Sequence, residues 1–374
     1  MLQILFGLFI LFLSVFLGTY AGYFAYVRSN AKKPWKLKYD PHFEPAVSIL
    51  VPTHNEEDTI ESKLTNLRDV LYSKEKMEII LADDSSEDKT ISKAQYFIEK
   101  NPQLNMRIVK QNPRAGKSAT LNNALTASTH PIIIVSDADT NWSPDILSKA
   151  LPYMSDSEIG AITGMGVNRN IQQSWITKAE DAYLNFAHLV RLGESKIHST
   201  IRFEGGFCAY KKEAFKGFDC KTGADDSGTA LDVIQNKYRT ILVPEAVFYT
   251  SFPTGLGGKL KTKSRRATQL MSLWATCFGL LLKNRLLLPK RIAIPEIMLF
   301  IFAPLFLLAL VATALATILL FPFSLFSLVI LLSVVGMVIF ARRMFLEVLI
   351  DNLILLYALV AFLTGRRYTV WEKN

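Results

Sequence analysis

Six aspartates stand in three short clusters along this chain: Asp83-Asp84, Asp137-Ala138-Asp139 and Asp225-Asp226. The first two clusters directly follow apolar runs, so we expect them at the ends of buried strands. Carboxylates are strongly hydrated and repel one another. They gather in this way mainly where a divalent cation, a proton transfer or the hydroxyl groups of a ligand use them. The three clusters therefore predict a binding or catalytic site.

The second cluster follows the β-branched run 131–136, which is typical of a strand buried on both faces. Side chains alternate along an extended chain, so Asp137 and Asp139 point the same way. Two converging carboxylates need a counter-charge, and Mg²⁺ or Mn²⁺ that bridges phosphates is the natural one. Turns often contain Asp-x-Asp by itself. Here its place after a buried strand, downstream of Asp83, indicates a metal site.

The run Gly116-Lys117-Ser118 resembles part of a loop that binds nucleoside triphosphates. The first glycine of Gly-x-x-x-x-Gly-Lys-[Ser/Thr] would stand at position 111, which is Gln111, so that interpretation fails. A lysine at a helix start can still meet a diphosphate as a point charge. The alternative is a solvated lysine on a turn.

Strands and helices must alternate to position these residues. Predicted strands cover residues 47–52, 78–82, 107–110 and 131–136, and predicted helices cover 61–72, a segment opening at Gly116, and 229–236. Strand, helix and strand with tight junctions form a βαβ unit, which requires a parallel sheet and places ligands at the carboxyl ends of its strands. Helix capping is the alternative for the acids Glu56 to Asp58 and for Asp225-Asp226.

The N-terminal segment predicts a membrane helix. Met1–Val27 has no charged residue, and Ile4–Phe24 is almost wholly apolar, which suits one crossing of a hydrocarbon core about 30 Å thick. A cleaved signal peptide would have a basic start and a shorter apolar stretch. The basic residues of segment 28–38 precede the first acid, Asp40, so the positive-inside rule predicts an N-terminus outside and a cytosolic domain after it.

Three further apolar stretches follow the soluble part, near residues 295–320, 323–340 and 345–364. The first two read as a hairpin that turns at Phe321-Pro322-Phe323. The third is ambiguous, because Glu347, Asp351 and Asn352 stand in its first two turns and Arg366-Arg367 follow it. It can be re-entrant, lie in the interface, or cross in breach of the positive-inside rule.

The formal charge of +9 does not indicate nucleic acid as a partner, because Lys and Arg concentrate beside apolar segments, at residues 28–38, 259–266 and 283–291. Anionic lipid headgroups account for that placement. The three cysteines, Cys208, Cys220 and Cys277, show neither metal-ligand spacing nor a disulfide framework. We expect their side chains to be buried and to pack in the core.

The motifs stand in an order that carries a family resemblance. The chain resembles the membrane-integrated inverting glycosyltransferases of family 2, which include hyaluronan, cellulose and poly-N-acetylglucosamine synthases and are similar to ceramide glucosyltransferase. The resemblance covers roughly residues 45–275. It lies in Pro52-x-x-Asn55-Glu56, Asp83-Asp84-Ser85-Ser86, Gly116-Lys117-x-x-x-Leu121-Asn122, Asp137-x-Asp139, Glu204-Gly205-Gly206-Phe207, Asp225-Asp226 and Arg265-Arg266. It implies an α/β GT-A fold with a mostly parallel central sheet, a nucleotide-sugar donor and a divalent metal, Mg²⁺ or Mn²⁺.

The resemblance also implies roles for individual residues. Asp83 holds the nucleobase and Glu56 lies near the nucleoside, while Asp139 ligates the metal with Asp137 beside it. Lys117 and Arg266 approach the diphosphate. The full implied donor-binding set is Pro52, Asn55, Glu56, Asp83, Asp84, Lys117, Asp137 and Arg266.

The loop implied to flank the acceptor is Glu204-Gly205-Gly206-Phe207. Its glycines make physical sense, because backbone without a Cβ can approach a sugar closely. A simple turn before a helix at Lys212 is the alternative.

By match to the family, Asp226 is the catalytic base. Displacement at the anomeric carbon with inversion needs a carboxylate to accept the proton of the attacking hydroxyl. Asp225, next to it, raises the apparent pKa of the pair by like-charge repulsion. The cluster departs from the Thr-Glu-Asp form of the processive polymer synthases but keeps the final aspartate.

Beyond this cluster, Thr250–Lys263 has the composition of a mobile loop, and a basic amphipathic segment then reaches Leu288. We expect an interfacial helix with its basic residues towards headgroups and with Leu, Met, Trp274 and Phe278 in lipid. Polymer synthases usually carry Gln-x-x-Arg-Trp here. This chain has Lys263-x-x-Arg266-Ala267 and so lacks the tryptophan that stacks on an acceptor sugar in those enzymes. The difference argues against processive synthesis of long chains.

The sequence thus predicts five segments: a transmembrane helix (1–27), a basic linker (28–45), a cytosolic GT-A domain (46–258), interface helices (259–291) and a C-terminal membrane domain (292–374). The leading interpretation is a multi-pass enzyme of the cell membrane that moves a sugar from a nucleotide sugar, UDP-linked by expectation, to a lipid or lipid-linked acceptor. A processive polysaccharide synthase is the alternative, and a catalytically dead scaffold is disfavoured because every metal and base position is filled. Anionic lipids are expected partners, and homo-oligomerisation is left open.

Overall fold

The structure is a computed structural model that describes residues 1–340 and 342–365, with the side chains of 342–345 outside that description. The predicted basic flank Arg366-Arg367 lies outside it as well. Internal contacts divide the described chain into two units. The sheet unit comprises Val27–Leu260 and Leu286–Leu288, and the helical unit comprises Met1–Tyr26, Lys261–Arg285 and 289–365.

Eight strands of the sheet unit form one mixed sheet. They are β1 (Val47–Thr53), β2 (Met77–Asp84), β3 (Met106–Gln111), β4 (Ile132–Val135), β5 (Asn141–Trp142), β6 (Ile159–Asn168), β7 (Cys208–Lys211) and β8 (Arg239–Thr250). Their order across the sheet is β3-β2-β1-β4-β7-β6-β8-β5. The pairs β2–β3, β1–β2, β1–β4 and β6–β8 are parallel, whereas β4–β7, β6–β7 and β5–β8 are antiparallel. The predicted α/β fold with a mostly parallel sheet is confirmed.

Helices cover both faces of this sheet. They are α2 (Ile60–Arg68), α3 (Thr90–Lys100), α4 (Lys117–Ala127), α5 (Ile146–Ala150), α6 (Trp175–Ile197) and α7 (Asp225–Gln235). Because side chains alternate along a strand, Ile49 packs into the apolar cluster that contains Leu64 of α2, and Leu50 packs into the cluster that contains Leu121 of α4. The central strands are therefore buried on both sides, as their apolar runs predict.

Several local predictions for the sheet unit are corrected. The helix expected over 61–72 ends at Arg68, after which Leu71 N donates to Pro144 O. The helix expected from Thr229 begins at Asp225, because Gly228 N already donates to Ala224 O. At Lys212 there is one 3₁₀ turn, Lys212–Ala214, which follows strand β7.

Two further predictions are wrong. The loop expected over 250–263 is short, since α8 (Leu256–Leu282) begins at Leu256 and Lys259 already packs 5.7 Å from the ring centroid of Trp175. Cys208 and Cys277 are buried, but Cys220 is exposed. It follows Phe218, whose backbone is held by Asn122, and so it stands on a surface loop rather than in the core.

The helical unit contains most of the remaining helices. They are most of α1 (Leu2–Ala31) and of α8, together with α9 (Lys290–Ile297), α10 (Ala303–Leu320), α11 (Leu325–Phe340) and α12 (Arg342–Leu363). A π-helical turn, Met298–Phe302, joins α9 to α10. Among the residues described, three helices have the length and composition to cross a bilayer: Leu2–Ala31, Lys290–Leu320 and Leu346–Leu363. The shorter α11 follows α10 through a turn at Pro322.

The acids that made the last segment ambiguous have a partner. Lys263 Nζ of α8 lies 2.8 Å from Asp351 Oδ1 and 3.6 Å from Glu347 Oε2 of α12. This ion pair lowers the free-energy cost of placing carboxylates in an apolar helix. If one partner were removed, the other would be left as an unpaired charge.

One face of α8 packs against protein, whereas we expected it to contact lipid. Met271 and Trp274, expected in lipid, are buried inside the helical unit. Met271 packs in one cluster with Ile354 and Ala358 of α12, and Trp274 stacks on Phe300 with ring centroids 5.8 Å apart. Amphipathic spacing fixes which side of a helix is apolar but not whether lipid or protein covers it.

Candidate active site

Strand β7 brings the second and third acidic clusters to the same glycine. Because β7 pairs antiparallel with β4, with Val135 opposite Cys208, the residues before β7 lie beside those that follow β4. Asp137 N donates to Gly205 O over 2.9 Å. A Cβ at Gly205 would lie 2.5 Å from Asp137 Oδ2 and 2.8 Å from Asp226 Oδ2. Only glycine fits between these two carboxylates.

Lys117, the first residue of α4, stands among three of the predicted site aspartates. Its Nζ lies 2.9 Å from Asp137 Oδ1, 2.7 Å from Asp225 Oδ2 and 3.5 Å from Asp226 Oδ2. Burial by itself would lower the pKa of Lys117, but these carboxylates outweigh it and hold the pKa well above its ordinary value. The lysine is a fixed counter-ion of the acidic clusters, so the alternative of a solvated turn lysine is excluded.

Asp84 positions this lysine. Both oxygens of its buried carboxylate accept backbone N–H groups of the loop before α4, from Ala115 over 2.8 Å and from Gly116 over 2.9 Å. Gly116 has a φ of 87°, a left-handed conformation that favours glycine. Asp84, predicted to bind the donor, therefore uses both oxygens to shape the loop that presents Lys117.

The pKa values of the acids reflect this crowding. Burial raises the pKa of Asp226 well above its ordinary value, and the neighbouring charge of Asp225 raises it further, while Lys117 opposes both. Burial and the charge of Asp137 likewise raise the pKa of Asp139. The aspartates around Lys117 carry more negative charge than this one lysine neutralises, which favours a bound cation.

Asp225 and Asp226 do not act as side-chain caps in the described helix. The N-cap of α7 is Ala224, which has no capping group. The two carboxylates face Lys117 instead, although acids in a first turn remain favourable to the helix dipole.

Asp83 is the last residue but one of β2 and is only 3% exposed. Its Oδ2 accepts from Ser86 N over 3.2 Å, whereas its Oδ1 has no hydrogen-bond partner within the described part of the chain. A buried carboxylate oxygen without a donor costs free energy unless a ligand supplies one.

The other residues predicted on the donor side join the loops after β1 and β2. Asn55, with a φ of 55°, accepts from Glu87 N at its Oδ1 over 2.9 Å. Glu56 N donates to Thr90 Oγ1 over 2.7 Å. Pro52 lies inside β1, opposite Ala82 of β2. Pro52 and Asn55 therefore fix the backbone near Asp83.

Glu204, which is predicted to lie on the acceptor side, is held by α6. Arg191 Nη2 lies 2.6 Å from Glu204 Oε1, and His188 Nε2 lies 3.9 Å from Oε2. Burial by itself would raise the pKa of Glu204, but Arg191 and His188 hold it far below its ordinary value. The carboxylate is thus fixed in its ionised form.

Gly206 and Phe207 serve packing. A Cβ at Gly206 would overlap the ring of Phe248, and Phe207 is fully buried, edge-on to Trp142 at 5.2 Å between ring centroids. Phe207 was predicted on the acceptor side, but its side chain belongs to the core beneath the loop.

Sequence reasoning missed Lys63 of α2. Its side chain is fully buried, donates to Ser136 Oγ, and donates to Thr140 O over 3.0 Å, so it joins both ends of the turn that carries Asp137 and Asp139. Burial lowers the pKa of Lys63 to about 7, against the opposing charges of Asp137 and Asp139. The available signal was a lysine at a core position between Ile60, Leu64 and Leu67. His188 and Arg191 gave no comparable signal.

Arg266 is exposed on α8 and belongs to the helical unit. Its assignment to the diphosphate stays a prediction.

The residues present fit a divalent cation held together with a ligand. Within the described residues no group of three or more His, Cys, Asp or Glu side chains could hold a metal by itself. Asp137 and Asp139 offer the hard oxygens that Mg²⁺ and Mn²⁺ prefer, and phosphate oxygens would complete such a coordination shell.

This fold and site define a class of enzymes that transfer sugars. Residues 48–218 match the family model described as Glycosyl transferase family 2. Residues 48–218 of the sheet unit therefore form a family 2 glycosyltransferase domain, and the sheet unit has the GT-A fold.

One solved structure is similar over almost the whole chain. It is a mannosyltransferase from Pyrobaculum calidifontis in complex with GDP-Man and Mn²⁺, with 28% sequence identity and a TM-score of 0.82 over 97% of this chain and 100% of that one. This likeness extends beyond the family domain.

Two curated relatives are named for different activities. The chain is 26% identical over 281 residues to a poly-beta-1,6-N-acetyl-D-glucosamine synthase of Staphylococcus aureus (strain MW2), covering 69% of this chain and 64% of the relative. It is 28% identical over 191 residues to a beta-monoglucosyldiacylglycerol synthase of Synechocystis sp., covering 49% and 39%. The chain spans about half the length of the curated relatives it matches.

Proposed function

We propose that this chain is a membrane-bound inverting glycosyltransferase that moves one sugar, or a few, from a nucleotide sugar to a lipid or lipid-linked acceptor. The observation that carries the proposal is the convergence at Gly205 of the Asp-x-Asp turn and the Asp225-Asp226 pair, with Lys117 between them. The proposed metal ligands and the proposed base therefore lie next to each other. Inverting sugar transfer needs a base, and a cation, where one is bound, assists departure of the diphosphate.

On the donor side, the free oxygen of Asp83 accepts an N–H of the nucleobase, and Glu56 lies near the nucleoside. Asp139, with Asp137, holds Mg²⁺ or Mn²⁺ against the diphosphate. When bound, the cation neutralises the charge of the departing diphosphate. Uracil and guanine both present a suitable N–H, so UDP-linked and GDP-linked donors compete as hypotheses; the similar solved structure holds GDP-Man.

On the acceptor side, Asp226 accepts the proton of the attacking hydroxyl. Its raised pKa strengthens it as a base, and the ammonium group of Lys117 beside it favours its ionised form. Gly205 leaves room for the hydroxyl beside Asp226 because it has no side chain. Glu204, fixed by Arg191, offers a second carboxylate to sugar or glycerol hydroxyls.

A membrane acceptor is supported by the three helices of the described residues that are long enough to span a bilayer. Similarity to a beta-monoglucosyldiacylglycerol synthase also supports it. We place the catalytic domain in the cytosol and the N-terminus outside, because the basic segment 28–38 follows the first apolar helix. Anionic headgroups are the natural partners of that segment.

Polymer synthesis is the second candidate, and the similarity to a poly-N-acetylglucosamine synthase favours it. Ala267, in place of the tryptophan of polymer synthases, speaks against long products.

The deciding experiment is a donor screen in native lipid with UDP- and GDP-linked sugars and Mn²⁺, followed by mass analysis. One added sugar, or a few, on a lipid supports the proposal. A long ladder of repeats supports the polymer synthase. Absence of nucleotide release from any donor, with the protein correctly folded, refutes both.

A further inference from the structure

Helix α6 presents an aromatic face on the surface of the sheet unit. Trp175, Tyr183 and Phe186 are 66%, 42% and 46% exposed. Trp175 and Phe186 are separated by about three turns at 3.6 residues per turn, so they share one face of the helix. Large aromatic side chains aligned on one helix face are uncommon on surfaces that meet only water.

The start of α8 continues this surface. Leu256 and Leu260 are 51% and 39% exposed, and Lys259 Nζ lies 5.7 Å from the ring centroid of Trp175. Lys178, one turn along α6 from Trp175, is also exposed. Lys259 itself is only 1% exposed, so Lys178 is the exposed lysine beside these apolar side chains. Exposed apolar side chains next to a lysine are typical of surfaces that enter the headgroup region of a bilayer.

The other face of α6 reaches the candidate active site. Its His188 and Arg191 are buried and hold Glu204, the carboxylate on the acceptor side. One rigid helix thus carries the aromatic face and the partners of Glu204.

The C-terminal part of α6 is joined to the end of α1. Gly193 lies directly against the backbone of Val27, where a Cβ would overlap Val27 O. Lys196 Nζ donates to Lys33 O and lies 5.1 Å from the ring centroid of Trp35. Helix α1, which ends at Ala31, has the length and composition of a membrane span. The contacts above attach α6 to its last turn.

We propose that α6 is an interfacial helix whose Trp175–Phe186 face lies in the headgroup region of the phospholipid bilayer. Tryptophan and tyrosine favour this region because their rings are amphipathic. Attachment of α6 to the last turn of an apolar helix argues for lipid, rather than a second protein, as the occupant. In a second step, which rests on the proposed function, lipid contact orients the Glu204 loop towards an acceptor that arrives from the bilayer.

The first step is tested by nitroxide labels on the full chain in nanodiscs of phosphatidylcholine and phosphatidylglycerol. Cys220→Ser removes the exposed native thiol, and Trp175→Cys or Phe186→Cys provides the labelling site. Tyr96→Cys is the matched control, since Tyr96 is 59% exposed on α3. We expect the labels at 175 and 186 to collide with oxygen more than with a water-soluble nickel chelate, and the label at 96 to do the reverse.

Equal access of the nickel chelate to all three labels would overturn the proposal. Shielding from both reagents, with dipolar broadening between copies, would also overturn it and assign the face to a second copy of the chain. The measurement needs neither donor nor acceptor, so its result is separate from the success or failure of the proposed function.

The second step is tested with Trp175→Glu against Tyr96→Glu. We expect Trp175→Glu to reduce transfer to a bilayer-embedded acceptor while nucleotide release to water with Mn²⁺ stays at the level of the control. Equal loss of both readouts, or loss of neither, would overturn the link between lipid contact and the Glu204 loop.

Discussion

Lys117 and Asp225 form an ion pair in which Nζ and Oδ2 are 2.7 Å apart, and this pair joins the first residue of α4 to the first residue of α7. The same ammonium lies 3.5 Å from Asp226 Oδ2. The two helices are distant in sequence and flank different parts of the sheet. Their contact through one lysine makes the charge of Lys117 a determinant of the proposed base.

Replacement of this lysine tests that dependence. Lys117→Met removes the positive charge that opposes the rise of the Asp226 pKa, so the acidic limb of the pH profile of kcat/KM should move to higher pH. We expect turnover to fall by roughly 10²-fold, the scale for loss of one preorganised electrostatic group. Lys110→Met, at an exposed site on β3, is the control. An unshifted acidic limb would show that Lys117 does not act on the base.

The carboxylates should separate by role. Asp139→Asn should weaken Mn²⁺-dependent donor binding, because the amide keeps the shape but loses the charge that holds the cation. Asp226→Asn should leave donor binding intact and reduce turnover by roughly 10²–10⁴-fold, the range for a lost general base. Calorimetry with Mn²⁺ beside product formation measures both. Full transfer by Asp226→Asn with loss in Asp225→Asn would reassign the base to Asp225.

The glycine between the acids has its own prediction. Gly205→Ala would place a methyl group 2.5 Å from Asp137 Oδ2 and 2.8 Å from Asp226 Oδ2, so one carboxylate must move. We expect strongly reduced transfer with a folded protein. Gly257→Ala is the matched control, since nothing lies within 4 Å of a Cβ there. Activity of Gly205→Ala equal to that of Gly257→Ala would contradict the close approach.

Lys63 predicts a pH dependence of stability. Its folded-state pKa is about 7, below the ordinary value of 10.5, so the unfolded chain binds more protons between these values and stability rises with pH. The cost of the buried charge is fully present below pH 7. Without metal, the wild type should gain up to roughly 2 kcal/mol more than Lys63→Met between pH 7 and 9. Denaturation of the detergent-solubilised protein at both pH values measures this, and parallel curves would contradict the prediction.

The two neighbouring arginines of α8 should differ. If Arg266 reaches the diphosphate, Arg266→Lys should reduce transfer more than Arg265→Lys, because a forked guanidinium and an ammonium are not interchangeable at phosphate. If both bind headgroups, both changes should be mild. Donor KM and turnover for the pair decide between these outcomes, and equal mild effects would remove Arg266 from the donor site.

The sequence by itself determined the parallel half of the sheet, the apolar helices and the order of the motifs. Each of these depends on neighbours along the chain: the buried run before Asp137, for example, predicts a strand from its own composition. The departures at helix ends, such as Arg68 and Asp225, arise where loop contacts with distant segments compete with local helical preference.

Only the tertiary structure decided what those residues meet. Strand β7 enters the sheet between β4 and β6, which sets Gly205 beside Asp137, and the packing of α7 brings Asp226 to the same glycine. The burial of Lys63 and the coverage of Trp274 by protein likewise depend on elements far away in sequence. The spacing of hydrophobic residues indicates which face of a helix or strand avoids water. It does not record the partner that covers the face, because burial is non-directional and many packings satisfy it.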